Sequence, residues 1–501
     1  MSGIAGIWGR SDEESVRQMM RLLSHRGPDV QGLCQRQDGT LGHLGLSIMD
    51  LDGGNRAMPN DQPGRAIIAD GRIYDLPSSE ESPSHSQRLE ARSDAKFALH
   101  LYDELGKGMV HRLDGVFALA IADGEDIFLA RDAIGIKPLY YANGGKAFVF
   151  ASELKAFEGL SDDAKEFPPG TWFHSKIGFR PFYTVPEAPP RDMPLGFRLM
   201  LLRKTLERAV VKRLMSDRAL GVFLSGGLDS SIIAAIVRRH VDTLHTFSVG
   251  IEGSRDLEAA RVVARHLHTV HHEYVFTADE VREELPQIIY HLESFDQDLV
   301  RSAIPCFFAS RLAADHVRVV LTGEGADELF AGYTYQQDIE DPNALHQELR
   351  RSVTGLHNIG LQRGDRLTMA WSLEGRVPFL DVEMVEFALT IPTELKLYRQ
   401  DDGRRIEKWI LRRAYEDLLP PETVWRTKEQ FDEGSGTTDL IAEICKSGMS
   451  PSEAHEYAQR YPEDGLRSPE ECMYHQVLLD VFSNAEPIRR NIARWSDRPF
   501  D

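Results

Sequence analysis

Residues 224–231 read Leu224-Ser225-Gly226-Gly227-Leu228-Asp229-Ser230-Ser231. They follow a short apolar run, 220–224, and precede a second one, 232–237, whose pattern predicts a helix. The two glycines lack Cβ atoms, so successive backbone N–H groups can converge on one anion. Ser225, Ser230 and Ser231 add hydroxyl donors, and the helix turns its positive end toward the same point. A carboxylate in such a cradle needs a screening cation, so Asp229 reads as a Mg²⁺ ligand. The pattern is not GxxxxGK[ST], so transfer of a terminal phosphoryl group is not the natural expectation.

Working outward, the apolar runs 244–249 and 317–321 alternate with longer helical patterns. That alternation predicts an α/β unit with a parallel sheet between helices. Run 317–321 ends in Thr322-Gly323-Glu324-Gly325-Ala326-Asp327-Glu328, which clusters three carboxylates at the carboxyl end of a predicted parallel strand. Open α/β sheets place their ligands there. Asp327 is the candidate to complete the metal shell with Asp229, and Glu324 a base or amine-orienting acceptor. From residue 356 onward the pattern reads mainly helical.

Upstream, VPEAPPRDMPLG at 185–196 carries four prolines that interrupt helix and strand alike, which divides the chain into 1–190 and 191–501. Within the first part the runs 66–69, 116–122 and 147–151 alternate with Gly/Asp turns and predict stacked antiparallel sheets with a few helices. The Ser-, Glu- and Arg-rich stretch 77–93 reads as a surface loop.

Composition narrows the partners. The 501 residues carry 58 Lys and Arg against 78 Asp and Glu, a formal charge of −20 that repels phosphate backbones and argues against nucleic acid. No apolar run approaches the ~20 residues of a membrane helix, and no signal peptide opens the chain. Four scattered cysteines without a CxxC pair suit a reducing cytoplasm rather than a disulfide or zinc scaffold.

SGGLDSS resembles the pyrophosphate loop of ATP pyrophosphatases, which cleave ATP between its α- and β-phosphates. LSGGLDSS, TFSVG (246–250), LTGEGADELFAGY (321–333), LEGRVPFLD (373–381) and WRTKEQF (425–431) together resemble the synthetase domain of glutamine-hydrolysing asparagine synthetases. SHRGPD (24–29), LDGVFALAI (113–121), RDAIGIKPLYY (131–141) and FASELKA (150–156) resemble their N-terminal-nucleophile glutaminase domain. The resemblance runs from the first residue to about residue 483, and the family includes β-lactam synthetases. It implies an αββα first domain and an ATP-pyrophosphatase-like second domain with a helical C-terminal part. It also implies ATP and Mg²⁺ as cofactors and adenylation of a carboxylate followed by amide formation. Leu224, Val249 and Gly323 would hold adenosine, 225–231 the phosphates, and Lys428 would be the catalytic lysine. Glu374 and Arg376 are expected to form a structural pair. The expected partner is a small amino-acid-like substrate, and a homodimer is the expected assembly.

Departures from the family pattern are informative. Position 2, the family's nucleophilic cysteine, is Ser2. RLSIVD becomes Gly45-Leu46-Ser47-Ile48-Met49-Asp50, losing an arginine for the glutamine carboxylate. NGEIYN becomes Asp70-Gly71-Arg72-Ile73-Tyr74-Asp75, so a carboxylate replaces the oxyanion-hole asparagine. GSD becomes Arg92-Ser93-Asp94. An anion where negative charge must develop opposes that transition state, and losing one oxyanion donor costs about 10²–10³ in rate. These changes predict a dead glutaminase whose remaining role is structural. In the acceptor region YDVTTIRAS becomes Phe295-Asp296-Gln297-Asp298-Leu299-Val300-Arg301-Ser302-Ala303. Asp298 would repel aspartate yet hold an ammonium, Arg301 survives as a substrate ligand, and Gly360 replaces an aspartate and makes room. These residues predict an amide-forming ligase that uses no glutamine and closes its product intramolecularly. Such an enzyme would suit an amino-acid-derived antibiotic or toxin such as tabtoxin, although β-lactam synthetases carry tyrosine where this chain keeps Glu324. The alternatives are asparagine synthesis from free ammonia and a catalytically dead scaffold.

Overall fold

The computed structural model describes residues 2–48, 64–74, 94–144 and 147–494. The predicted surface loop 77–93 and residues Met49, Asp50, Asp75, Arg92 and Ser93 lie outside the described residues.

The first part is two antiparallel sheets with a helix on each outer face. One sheet runs Val30–Gln35, Gly39–Gly45, Ser2–Trp8, Phe148–Ala151, Tyr140–Asn143, Lys165–Glu166. The other runs Gly178–Pro181, Thr171–His174, Asp126–Arg131, Gly115–Asp123, Arg65–Ile73. Strand period two explains the layering. Ala118, Ala120 and Ala122 face the first sheet with Ile4, Trp8 and Phe150. Phe117, Leu119 and Ile121 point the other way, against Phe97 and Leu101 of the helix Asp94–Leu105. The alanines let the sheets approach while the large residues fill the outer layer. The helix Glu13–Leu22 covers the first sheet with Val16, Met19 and Met20.

After an irregular stretch, 183–194, the helix Leu195–Lys212 opens the second part. Its five-stranded sheet runs Val270–Val275, His245–Gly250, Leu220–Phe223, Val319–Leu321, Glu374–Arg376, and every pairing is parallel. The chain leaves the central strand Leu220–Phe223 first toward one edge and later toward the other. A crevice therefore opens at its carboxyl end, the switch point of an open α/β sheet. The fold is the α/β arrangement predicted, with one difference. LEGRVPFLD, within a stretch read as helical, contributes the short edge strand Glu374–Arg376, because Arg376 pairs with Leu321 across the ladder.

The two parts share one apolar core. Leu46, Tyr74, Val116, Ile134 and Ile136 pack among Leu202, Val222, Leu361 and Val377. Among the described residues no helix is long and apolar enough to cross a membrane.

Candidate active site

A cavity of about 730 Å³ opens at the switch point. The loops after three parallel strands line it: Leu224, Ser225 and Gly227–Ser230 after the first, Ser248 and Val249 at the end of the second, and Thr322–Gly325 after the fourth. Leu228 begins the helix Leu228–Arg238, with Gly227 as its N-cap, so the first-turn N–H groups point into the crevice. Ser225 and Ser230 hydroxyls lie 3.2 Å apart, and Ser225 Oγ accepts from the Gly227 amide at 3.3 Å, which holds the loop in its cradle shape. Leu224 N donates to Phe247 O at 2.8 Å and ties the loop to the neighbouring strand.

Two members of the predicted loop are placed otherwise. Gly226 does not line the cavity. Its φ is +72°, and a Cβ there would stand 2.4 Å from the Ala259 carbonyl carbon, so glycine is required for packing against the helix Arg255–Leu267. Ser231 is fully buried and its hydroxyl has no hydrogen-bond partner, one position past the turn that faces the ligand space. Gly323 is there for proximity, since a Cβ would come within 2.8 Å of Asp229 Cβ.

Asp229 and Asp327 meet as predicted, and a residue the sequence reading missed stands between them. Lys408 Nζ lies 2.5 Å from Asp229 Oδ2 and 2.6 Å from Asp327 Oδ1, while Lys428 Nζ donates to Asp327 Oδ2 at 3.0 Å. Burial would raise the pKa of Asp327, but the two ammonium groups outweigh it and hold the carboxyl well below the usual carboxylate range. Burial likewise opposes the charged Lys428, yet Asp327 and Asp229 outweigh it and keep its pKa above the ordinary lysine value. The pair fits a divalent cation. The carboxylates already share an ammonium, and Asp229 Oδ1 is buried without a hydrogen bond. Among the described residues no group of three metal-ligating side chains gathers. Mg²⁺ sites of one or two carboxylates completed by substrate phosphates have that composition.

Arg426 delivers Lys428. Its guanidinium donates to Asp256 Oδ1 at 3.0 Å, to Glu429 Oε2 at 2.7 Å and to Ser225 O at 3.4 Å, which clamps WRTKEQF against the phosphate loop. Burial pushes the Asp256 carboxyl up to about 6 despite that arginine. Arg412 donates to Arg426 O at 3.0 Å and so couples the helix after Lys408 to the same segment.

On the acceptor side, Glu324 is held by Arg363, another unpredicted residue. Gly360 faces them: a Cβ there would stand 3.3 Å from Glu324 Oε2 and 3.0 Å from Leu356 Cδ1. Asp298 lines the cavity, with Leu299, Ser302 and Cys306 on the same helix, Gln297–Ala314. Arg301 does not. Three residues on from Asp298, it sits at the flank of that helix face, and its guanidinium forms a two-pronged ion pair with Glu470 instead. Its assignment as a substrate ligand is therefore corrected. Glu374 and Arg376 pair at 2.5 Å, and Arg376 also donates to the carbonyls of Arg213 and Met215, a buried structural tie as expected.

The rear of the cavity reaches the first part at Ile136 and Lys137. There Lys137 Nζ pairs with Asp365 at 2.8 Å, Asp365 with Arg26 at 2.7 Å, and Arg26 with Asp70 at 3.0 Å. Asp70 in turn accepts the Ser2 N–H at 2.8 Å. Asp70 and Arg26 are fully buried. Arg72 is taken by Asp94 at 3.0 Å, and Gly45 sits in the strand ladder opposite Ser2 and Val30.

Known proteins resemble the chain along most of its length. The family model described as "Asparagine synthase" matches residues 201–344 and 336–473, and that of a glutamine amidotransferase domain matches residues 1–168. The chain is 37% identical over 513 residues to the asparagine synthetase [glutamine-hydrolyzing] 2 of Oryza sativa subsp. japonica, covering 96% of this chain and 85% of that protein. It is 39% identical over 519 residues to the corresponding protein of Asparagus officinalis, covering 96% and 86%. With that of Sandersonia aurantiaca it shares 37% over 516 residues, covering 96% of each.

Proposed function

This chain belongs to the asparagine synthase family and carries its glutamine amidotransferase domain, and on that premise we propose that it is an ATP-dependent, AMP-forming carbon–nitrogen ligase that takes no nitrogen from glutamine. The observation that carries the ligase reading is one cavity joining the phosphate loop, the strand end at 322–325 and Lys428.

In this reading a substrate carboxylate attacks the α-phosphorus of ATP and pyrophosphate leaves. An amine then attacks the acyl carbon, the C–N bond forms, and AMP departs. The Gly227–Ser230 turn and the hydroxyls of Ser225 and Ser230 hold the phosphates, and Leu224, Val249 and Gly323 line the space for adenosine. Asp229 and Asp327 would hold Mg²⁺, whose charge when bound stabilises the departing pyrophosphate. Lys428, anchored through Arg426, offsets the oxyanion formed during amine attack. Arg363 engages one oxygen of Glu324 and leaves the other facing Gly360, where it can orient the amine and accept its proton.

Two features support an amine that arrives with the acid. Asp298 lines the acceptor side, where it can hold an ammonium, and Gly360 leaves room for a chain longer than aspartate. A tethered amine gains from proximity, worth up to about 7–11 kcal/mol in well-oriented cases. The finer reading is therefore intramolecular closure, as in β-lactam synthetases. Asparagine synthesis from aspartate and free ammonia is the second reading; the relatives' names support its product, while the nitrogen source they name is glutamine. The dead-glutaminase reading is supported by Asp70, whose oxygens are occupied by the Ser2 amide and Arg26. Residues 1–190 would then serve as a structural partner of 191–501.

The test is pyrophosphate release from Mg²⁺-ATP across a panel of diamino acids and of aspartate with ammonia. Release with a diamino acid and a cyclic product supports the first reading, and asparagine formation the second. No release with any carboxylate would sink the ligase reading. Ammonia production from glutamine at a rate matching amide formation would remove the claim about the first domain.

A further inference from the structure

Lys408 is built into its place. It caps the helix Trp409–Tyr415 with φ +53°, its N–H donates to Phe330 O at 3.1 Å, and its side chain is 2% exposed. Its stem runs over Gly332, where a Cβ would come within 2.3 Å of Lys408 Cε and 1.9 Å of Asp327 Oδ1. A residue in a left-handed conformation, a glycine cleared for its stem and two carboxylates at its tip all serve one ammonium position. A lysine adopts that left-handed conformation only against steric resistance from its Cβ, so the contact is not incidental.

The charges of this cluster balance. Asp229 and Asp327 carry two negative charges, and Lys408 and Lys428 two positive ones. A bare divalent cation entering here must displace Lys408 from the oxygens it needs and then sit beside two ammonium groups with no anion to receive them. A cation that arrives on a triphosphate brings that anion with it.

We propose that Lys408 is a positioning residue that makes metal loading conditional on the nucleotide: it occupies the carboxylate pair in the free protein and passes to phosphate oxygens when a nucleotide-bound cation takes the carboxylates. This deepens the ligase reading and rests on its assignment of Asp229 and Asp327.

The test is a Mn²⁺ titration of the full-length, nucleotide-free protein followed by electron paramagnetic resonance, repeated with α,β-methylene-ATP. The wild type retains Mn²⁺ in the cluster only when the analogue is present. Lys408→Met, of similar length, leaves the carboxylates with a single ammonium. It gains a nucleotide-independent Mn²⁺ site at least about tenfold tighter than any in the wild type, and adding Asp229→Asn removes that site. Lys408→Gln repeats the measurement should the methionine variant fold poorly, and the wild-type titration stands without either variant. Tight Mn²⁺ binding by the nucleotide-free wild type overturns the proposal, as does a folded Lys408 variant with no gain. If Asp229→Asn and Asp327→Asn leave Mn²⁺–analogue binding unchanged, the metal-ligand assignment fails and the exchange fails with it. Loss of the exchange alone leaves that assignment intact.

Discussion

Gly226 and Lys428 show how differently single positions in this cavity are constrained. Gly226 answers to backbone geometry, because a side chain there faces both a left-handed φ and the Ala259 backbone at 2.4 Å. Gly226→Ala is expected to lower unfolding free energy by more than the roughly 1–2 kcal/mol of the left-handed conformation alone, measured by urea denaturation. Pyrophosphate release should fall with it, since the loop must shift away from the helix behind it. Lys428 answers to charge. Lys428→Met leaves Arg426 and its clamp intact, so the melting temperature should move little, while amide formation falls by about 10² or more, in line with loss of one preorganised oxyanion partner. Unchanged turnover would remove Lys428 from the reaction.

At the scale of elements, the foot of the parallel sheet carries a cluster of imidazoles. His245 Nδ1 lies 3.0 Å from His272 Nε2, on adjacent strands, and the His272 and His316 rings stack at 3.8 Å between centroids. His271 is the next residue on the same strand and alternates to the opposite face, where it meets Thr246 and Glu273. Burial, then repulsion from His316, His245 and His271, depresses the His272 pKa to about 4, and burial and His316 lower that of His245. Unfolded imidazoles titrate near 6.5, so below that pH the unfolded chain binds protons the folded one resists. Stability contributed by the neutral cluster is thus complete above about pH 6.5 and is lost as the pH falls toward 4. The urea midpoint should drop across that interval, and His272→Gln should make the drop shallower. An identical pH slope in the variant would assign the effect to other groups.

For the whole molecule, the seam between the two parts is a buried ionic network rather than an apolar contact alone. Arg26 reaches Glu153, Asp70 and Asp365, and Arg366 reaches Glu293 and the Ser152 carbonyl. Glu293 also accepts the backbone amides of Leu154 and Lys155 at 3.0 and 2.6 Å, so the second part completes a turn of the first. Removing one partner strands the others, and Asp365→Ala is expected to cost about 3–5 kcal/mol, read by denaturant unfolding. Because Leu46, Tyr74 and Ile136 sit in the core of the second part, residues 191–501 expressed alone should be poorly soluble or melt well below the full chain. A fragment as stable as the whole would count against the structural role of the first domain.

Much of the site was legible because its parts are local. A glycine pair between an apolar strand and a helix, a carboxylate-rich strand end and WRTKEQF each state their chemistry within a few residues, and short β-rich runs between Gly/Asp turns announced the antiparallel sheets of the first part. Lys408, 179 residues from Asp229, carries no local signal, since an isolated basic residue beside a helix reads as surface charge, and nothing local to Arg363 names Glu324 as its partner. Arg301 shows the converse: its motif pointed to the cavity, but the carboxylate of Glu470 took its guanidinium. Segment pattern, fold class and the loops that meet ligand follow from backbone propensity and burial, which act over neighbouring residues. Which cation neutralises which buried anion is decided only when distant segments are brought into contact, because a desolvated charge takes its partner from whatever the packing places beside it.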